Sequence, residues 1–405
     1  MFTGQSRVAQ YVRQSPLIDR RIGVLSAVSF GWFLLLGVRL VVPALFPSIR
    51  AEFAFSNVVA GSVYTVLLGA AALMQLPGGI IADRVGGRSV LAFGAGAGLI
   101  GAAFLAVAPT VWVFVFGIVL FGVGTGIYGT PRVTVLSAVY PDRDGTAIGI
   151  CSASGNVGTT VLPVVAGGIA AAIGWQYGFA FAVPCFALGG LLIWRFVPAD
   201  AGKSDNDVSF REDARTIVAG LWDRSVLLAT AIMTVMFFTY QGVTAFLPTY
   251  LVTVKGLSTQ AAATLFGAFF AGGVVFQVVG GNLGDRFGQR RTMALVLLAS
   301  AATMFVLPFV SGWRLLIPAT IAVSVQLGYW PTVFAYTIAA LPEEGQASGL
   351  GLLRTFYLLV GSLGSAFVGV LADVDLFDEA FFLLAGLALV ATVLCLRLPL
   401  PSGKD

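Results

Sequence analysis

Long apolar stretches alternate with short polar breaks along almost the whole chain. Each stretch is long enough to supply the roughly 20 residues that a helix needs to cross a bilayer. The pattern predicts an all-α membrane protein with twelve transmembrane spans, numbered here in chain order. Their approximate limits are 22–48, 57–80, 88–108, 110–139, 145–173, 175–197, 225–252, 259–282, 291–311, 313–341, 346–372 and 377–397.

One long polar stretch interrupts this pattern, at 199–224 between spans 6 and 7. It predicts a cytoplasmic linker that joins a first six-helix bundle, residues 1–198, to a second, residues 225–405. Within the linker, Ser209 to Glu212 has the pattern of a capping box that starts a helix. The apolar residues that follow indicate a short helix lying at the membrane interface.

The composition narrows the class of protein. With 58% hydrophobic and only 10% charged residues, the chain has neither the profile of a soluble enzyme nor room for a large extramembrane domain. It contains no histidine, and its three cysteines lie in apolar stretches without metal-ligand spacing. We therefore expect no enzymatic activity, no cofactor and no metal site. Because the basic residues are scattered through short loops, we expect no nucleic-acid partner either.

The positive charges predict how the chain sits in the membrane. If the N-terminus is cytoplasmic, 17 of the 23 Lys and Arg lie on the inside, three outside and three within spans. Cytoplasmic loops of membrane proteins carry such an excess. We therefore expect an integral protein of the plasma membrane, in contact with lipid along its spans, with both termini in the cytoplasm.

The two predicted bundles repeat each other. Gly79-Ile-Ile-Ala-Asp-Arg-Val-Gly-Gly-Arg88 is matched by Gly281-Asn-Leu-Gly-Asp-Arg-Phe-Gly-Gln-Arg290, 202 residues later. Ser56 and Ser258, each placed to cap the helix that follows, share this offset. The chain is therefore interpreted as a tandem duplication.

These two motifs resemble the G-x-x-x-D-R-x-G-x-R loops of the major facilitator superfamily (MFS), which join helices two and three and helices eight and nine. The resemblance covers nearly the whole chain and implies a secondary transporter that works by alternating access. In that family the loops latch one conformation. The resemblance therefore implies gating roles for Asp83, Arg84, Arg88, Asp285, Arg286 and Arg290.

Charges within the spans indicate the type of solute. All the Asp and Glu residues fall in loops or at span edges, whereas Arg39, Arg132 and Arg354 lie inside spans 1, 4 and 11. An arginine at that depth costs roughly 2.5–3.5 kcal/mol on insertion scales and is kept mainly for function. Without intramembrane carboxylates as partners, these arginines favour an anionic solute. We predict that all three bind substrate, with Arg39 the deepest. Arg132 and Arg354 lie in the cytoplasmic halves of their spans, where snorkelling or pairing with the Asp83 loop is the alternative.

Span 1 also resembles that of organic-anion members of the superfamily, in which an arginine at the place of Arg39 holds the substrate carboxylate. Span 4 departs from that subgroup, because Ile118 and Thr125 replace its arginine and its proton-coupling glutamate. The arginines of nitrate carriers in helices two and eight are also absent, as is the G-P-x-x-G-G motif of drug antiporters. The sequence leaves open whether transport is coupled to an ion or to exchange with a second solute.

Spans 1, 4, 7 and 10 line the cavity in this family. Neutral polar side chains in spans 7 and 10 are therefore candidate substrate contacts: Tyr240, Gln241, Gln326 and Tyr329. The resulting hypothesis is a transporter of a small, carboxylate-like organic anion. Two alternatives remain: an exporter of hydrophobic or zwitterionic compounds, and a non-transporting membrane receptor or scaffold.

Overall fold

The computed structural model describes residues 4–203, 223–341 and 346–399, with side chains left out at 4–19 and 346–348. In this part of the chain the regular structure is entirely helical. The all-α class and the predicted twelve spans are confirmed. The predicted interfacial helix at 209–222 lies outside the described residues, as does most of the linker.

The first half of the chain forms spans 1 to 6. Spans 4 and 6 are each made of two helices in sequence. The helix bounds are Gly4–Phe53 for span 1, Asn57–Val85 for span 2, Gly87–Val107 for span 3, Val111–Gly129 and Pro131–Val139 for span 4, Asp144–Ile173 for span 5, and Tyr177–Ala180 and Ala182–Phe196 for span 6.

The second half forms spans 7 to 12. Span 9 ends in a short 3-10 turn, Leu307–Phe309, and span 10 has three segments. The bounds are Arg224–Thr253 for span 7, Thr259–Phe287 for span 8, Gln289–Val306 for span 9, Trp313–Val323, Ser324–Tyr329 and Trp330–Ala340 for span 10, Gln346–Asp373 for span 11, and Phe377–Leu396 for span 12.

Eleven helical stretches of the described chain, with the pieces of spans 4, 6 and 9 taken together, are long and apolar enough to cross a membrane. Span 10 supplies the twelfth crossing in three pieces. Its middle piece, Ser324–Tyr329, is a 3-10 helix. Pro331 occupies the first turn of the third piece, where its missing N–H costs nothing. The tighter middle turn rotates the side chains of this piece relative to a continuous α-helix.

The repeated loop motif builds the same turn twice. Gly86 has φ +90° and Gly288 has φ +87°, a backbone region that L side chains rarely enter. Each glycine ends one span and starts the next, with its N–H bonded to the carbonyl of Ala82 or Gly284. The glycine of the motif is therefore required by the turn itself.

Contacts between the halves concentrate at one end of the bundle. Span 2 packs against span 11, span 5 against span 8, and span 1 against span 7. We call the end that carries Asn57 and Asp373 the sealed end, and the end that carries Arg88 and Arg290 the motif end. At the motif end, a β-carbon added to Gly145, Gly149 or Gly351 would meet open space.

Candidate functional site

A cavity of about 90 Å³ lies between the two halves, near the middle of the spans. Spans 1 and 5 of the first half line one side with Leu36, Arg39, Asn156 and Thr159. Spans 7, 8 and 10 of the second half line the other side with Tyr240, Phe270, Val274, Gln277 and Leu327. The first side is thus mainly polar and the second mainly apolar.

Arg39 is the charged member of this cavity lining. Its side chain is half-buried, and its Nε atom is buried without a hydrogen-bond partner among the described residues. Arg39 lies within electrostatic reach of two tyrosines, Tyr64 from span 2 and Tyr240 from span 7. A guanidinium always carries its charge in proteins. It therefore offers the cavity a cation with unused donor capacity.

Tyr240 is the second predicted residue that the structure places in the cavity. The neighbouring Gln241 is 1% exposed, and its Oε1 accepts a hydrogen bond from Thr244 at 3.2 Å. Adjacent residues on a helix point about 100° apart. The orientation of span 7 therefore presents Tyr240 and turns Gln241 into the protein.

Span 10 likewise presents one residue of its middle segment. Leu327 lines the cavity, while Gln326 and Tyr329 are each 1% exposed and lie behind it. Gln326 donates from Nε2 to the Val323 carbonyl at 3.3 Å. Its Oε1 and the Tyr329 hydroxyl have no partner within the described chain. The structure therefore places both residues one layer away from Arg39.

The other two predicted arginines are absent from the cavity lining. Arg132 begins the second helix of span 4 and is 8% exposed, with its guanidinium 4.0 Å from the Trp32 ring centre. Arg354 in span 11 is exposed and lies within electrostatic reach of Arg132. Of the three arginines, Arg39 lies in the cavity lining. Arg132 and Arg354 lie outside it, one on each half of the protein.

Sequence reasoning missed several lining residues. Phe270, Val274 and Gln277 follow one another at i, i+4 and i+7, so they form one face of span 8. Asn156 and Thr159 are three residues apart on span 5 and share a face in the same way. Such spacing of polar residues in apolar helices was visible in the sequence, but neutral polar side chains are also common at helix contacts.

The motif loops are held by the last span of their own half. The Arg88 guanidinium lies 4.7 Å from the Trp194 ring centre, at the end of span 6. Arg290 donates to the Leu396 carbonyl, at the end of span 12. Arg290 lies 202 residues after Arg88, and Leu396 lies 202 residues after Trp194, so the two contacts are in equivalent places of the repeat. Asp83 is half-buried, and Arg84, Asp285 and Arg286 are exposed.

The sealed end is closed by polar bonds and close packing. Thr65 in span 2 donates to the Ser362 carbonyl at 2.9 Å and lies 2.8 Å from the Ser365 hydroxyl in span 11. Phe46 in span 1 meets Phe246 in span 7, with ring centres 6.3 Å apart. The two halves are therefore closely joined on this side of the cavity.

Curated relatives cover most of the chain. It is 27% identical over 399 residues to a probable nitrate/nitrite antiporter of Thermus thermophilus, with 86% of each chain covered. It is 25% identical to a fosmidomycin resistance protein of Escherichia coli, covering 95% of this chain and 94% of that one. A putative niacin/nicotinamide transporter of Bacillus subtilis is 24% identical, with 85% of this chain and 86% of the relative covered.

Solved structures share the fold. A bacterial homologue of the human lysosomal transporter Spinster, in an inward-facing and occupied conformation, superimposes with a TM-score of 0.79 at 16% identity. The match covers 92% of this chain and 95% of that one. The sequence pattern of the Major Facilitator Superfamily itself matches residues 27–268 and 258–405. The chain is an integral membrane transporter, not an enzyme, and belongs to the Major Facilitator Superfamily.

Proposed function

We propose that this chain carries a small organic anion across the membrane and that Arg39 binds the carboxylate. The observation that carries the proposal is the position of Arg39, which lines a cavity between the halves and whose buried Nε has no partner in the described chain. A carboxylate matches the planar fork of a guanidinium and accepts two of its hydrogens. No carboxylate side chain of the protein stands among the cavity-lining residues to occupy that fork.

Neutral groups around Arg39 orient the bound anion. Asn156 and Thr159 supply hydrogen-bonding groups on the same side of the cavity, and Tyr240 and Gln277 face them from the other half. Gln241, Gln326 and Tyr329 lie behind this lining, with unpartnered polar atoms among the described residues. They support substrate binding when spans 7 and 10 turn during transport.

Transport proceeds by rocking residues 1–198 against residues 225–405 about the linker. With both termini in the cytoplasm, the motif end faces the cytoplasm and the present conformation faces inward. When the motif end closes, the two motif loops come together and latch the outward-facing state. Asp83, Arg84, Asp285 and Arg286 then meet groups of the opposite half, while Arg88 and Arg290 hold each loop to its own half.

The absence of a carboxylate from the described cavity lining bears on coupling. A proton relay through the protein needs a titratable group beside the substrate. Exchange, facilitated uptake, or cotransport with a proton carried on the substrate fits the lining better. The names of two relatives include the anions nitrate, nitrite and niacin, which support an anionic cargo, and also nicotinamide, which is uncharged.

Export of hydrophobic or zwitterionic compounds is the second candidate function. Two observations favour it: the similarity to a fosmidomycin resistance protein and the apolar face formed by Phe270, Val274 and Leu327. In that case Arg39 is structural, and transport is insensitive to the charge of the solute. A non-transporting receptor or scaffold would show no saturable flux at all.

A counterflow screen in proteoliposomes separates these functions. The panel contains monocarboxylates, dicarboxylates and nitrate, together with neutral and cationic solutes of similar size. Saturable exchange restricted to anions supports the proposal and identifies the cargo. Exchange of neutral or cationic solutes alone would contradict it and favour export. Empty liposomes and liposomes with heat-inactivated protein provide the baseline.

A further inference from the structure

Arg132 carries a buried charge that no carboxylate of the described residues neutralises. Its Nη1 lies 3.7 Å from the Cys151 sulfur, its guanidinium stacks on Trp32, and its buried Nε has no partner within the described chain. The groups acting on it electrostatically are Cys151, Arg354 and Tyr128. None of these is a carboxylate. The surroundings of a buried cation without a carboxylate among its described neighbours are favourable for an anion from outside the protein.

A second cation that acts on Arg132 electrostatically comes from the opposite half of the protein. Arg354 lies on span 11, which packs against spans 2 and 7. It is exposed, and the neighbouring Gly351 has open space beside it. The two arginines therefore face the cleft of the motif end from its two sides.

Closing the motif end brings these like charges together. Rocking one half against the other narrows the cleft between spans 4 and 11 and removes water from it. Repulsion between two cations grows as their separation and the local dielectric constant fall. An anion held between two guanidinium groups converts this repulsion into two charge-assisted contacts.

We propose that Arg132 and Arg354 form a second anion site, separate from the cavity at Arg39, and that this site must be filled for the motif end to close. The site takes a small monovalent anion, either the carboxylate of the cargo or an inorganic ion. This inference rests on the proposed rocking of the two halves. Its consequence is that the motif end cannot close without a bound anion, so the protein exchanges one anion for another.

The test measures closure of the motif end through the rate at which a maleimide labels Gly351→Cys. A maleimide labels this position while the motif end is open, and the parent chain corrects for native cysteines. Labelling is measured in detergent with sodium acetate, with sodium nitrate, and with only a bulky zwitterionic buffer. We expect acetate to slow labelling by roughly fivefold or more, the usual range of coupling between sites. Slowing by nitrate as well assigns the site to inorganic anions, and slowing by acetate alone assigns it to the cargo.

The variants locate the effect. Arg354→Gln removes the repulsion from an exposed position, so labelling should be slow with or without the small anions. Arg354→Lys keeps the charge and should retain the anion dependence. Arg39→Gln should also retain it, because the second site does not include Arg39. Equal anion dependence in the wild type and in Arg354→Gln, or its loss in Arg39→Gln, would overturn the proposal. A failure of anion transport at Arg39 leaves this labelling result unaffected.

Discussion

The carboxylate of Asp373, at the end of span 11, caps the first turn of span 2 through Asn57. Its Oδ1 accepts from the Asn57 N–H at 2.6 Å, and its Oδ2 accepts from the Val58 N–H at 2.9 Å. Unbonded N–H groups at a helix N-terminus attract an anion. The second half of the chain thus supplies a charged cap to a helix of the first, and this contact joins the two halves across the sealed end.

Replacing Asp373 with asparagine should weaken the seal. We expect a loss of about 1 kcal/mol, a roughly fivefold change in the ratio of the two conformations. The motif end then closes more often, so maleimide labelling of Gly351→Cys slows. Asp375→Asn is the matched control, because Asp375 is an exposed acid two residues away. Equal labelling of the two variants would show that the cap contributes nothing to the conformational balance.

Gly61 should be intolerant of larger side chains because spans 2 and 11 pack closely at the sealed end. A β-carbon at this position of span 2 would overlap the Ser365 carbonyl of span 11, whereas Gly69 of the same span has open space beside it. Gly61→Val should therefore separate the two spans and favour the conformation that is open at the present sealed end. Gly69→Val should behave like the wild type. The reporter at Gly351 measures both, and identical rates would rule out close packing as part of the seal.

Val274 should control the size of solute that the cavity accepts. It lines the cavity from span 8, while the adjacent Val275 is 59% exposed outside the lining. Val274→Phe fills part of the space and should exclude the larger members of a series of monocarboxylates before the smaller ones. Val275→Phe adds the same bulk elsewhere and should leave the series unchanged. The measurement is the uptake rate of each monocarboxylate in the series. An equal loss of uptake for all sizes would contradict a role of Val274 in size selection.

Asp223 should stabilise the start of span 7 in a pH-dependent way. Its Oδ1 accepts from the Ser225 N–H at 2.7 Å. Partial burial raises the pKa of this carboxyl, and the backbone hydrogen bonds outweigh that effect, so its pKa is lowered overall. A lowered pKa means that the stabilisation is present above the ordinary value and is lost as the pH falls through the lowered one.

Asp223→Ala should cost about 1 kcal/mol of stability at neutral pH, as is usual for the loss of an N-cap. Thermal unfolding in detergent measures this loss. The difference from wild type should shrink in acid below pH of about 4, the ordinary value for Asp. Asp223→Asn keeps a capping oxygen that does not titrate, so it should be destabilised less. A pH-independent difference for the alanine variant would contradict the role of the charge.

The sequence predicted the spans well because their signal is local. The length of the apolar stretches predicted all twelve spans, and the repeated motif marked the loops that contain Gly86 and Gly288. The 3-10 segment Ser324–Tyr329 was not foreseen, because it depends on how span 10 packs against span 8. A β-carbon at Gly280 of span 8 would overlap the Gly328 carbonyl, so the two backbones touch. In the sequence, the only trace of this contact between distant segments is the two glycines, Gly280 and Gly328.

The candidate site was predictable in part. Arg39 was identified because a charge inside a span is rare, and no equivalent rarity distinguished Tyr240 from Gln241. Rotation of a helix about its axis is set by packing against its neighbours, so the choice between adjacent polar residues needed the structure. The same reason hid Asn156 and Gln277, which are ordinary in composition and belong to the cavity lining only through the orientation of spans 5 and 8.

The role of Arg39 is tested most directly by counterflow of the best anion from the substrate screen, in proteoliposomes that contain matched arginine variants. Arg39→Gln should lower exchange by at least about a hundredfold, because losing one partner of a buried charge pair costs about 3 kcal/mol or more. Arg39→Lys should keep part of the activity with weaker affinity. Arg314→Gln removes an exposed arginine in the first turn of span 10, outside the cavity lining, and should exchange normally. Unchanged affinity and rate in a folded Arg39→Gln protein would contradict the anion-binding role of Arg39.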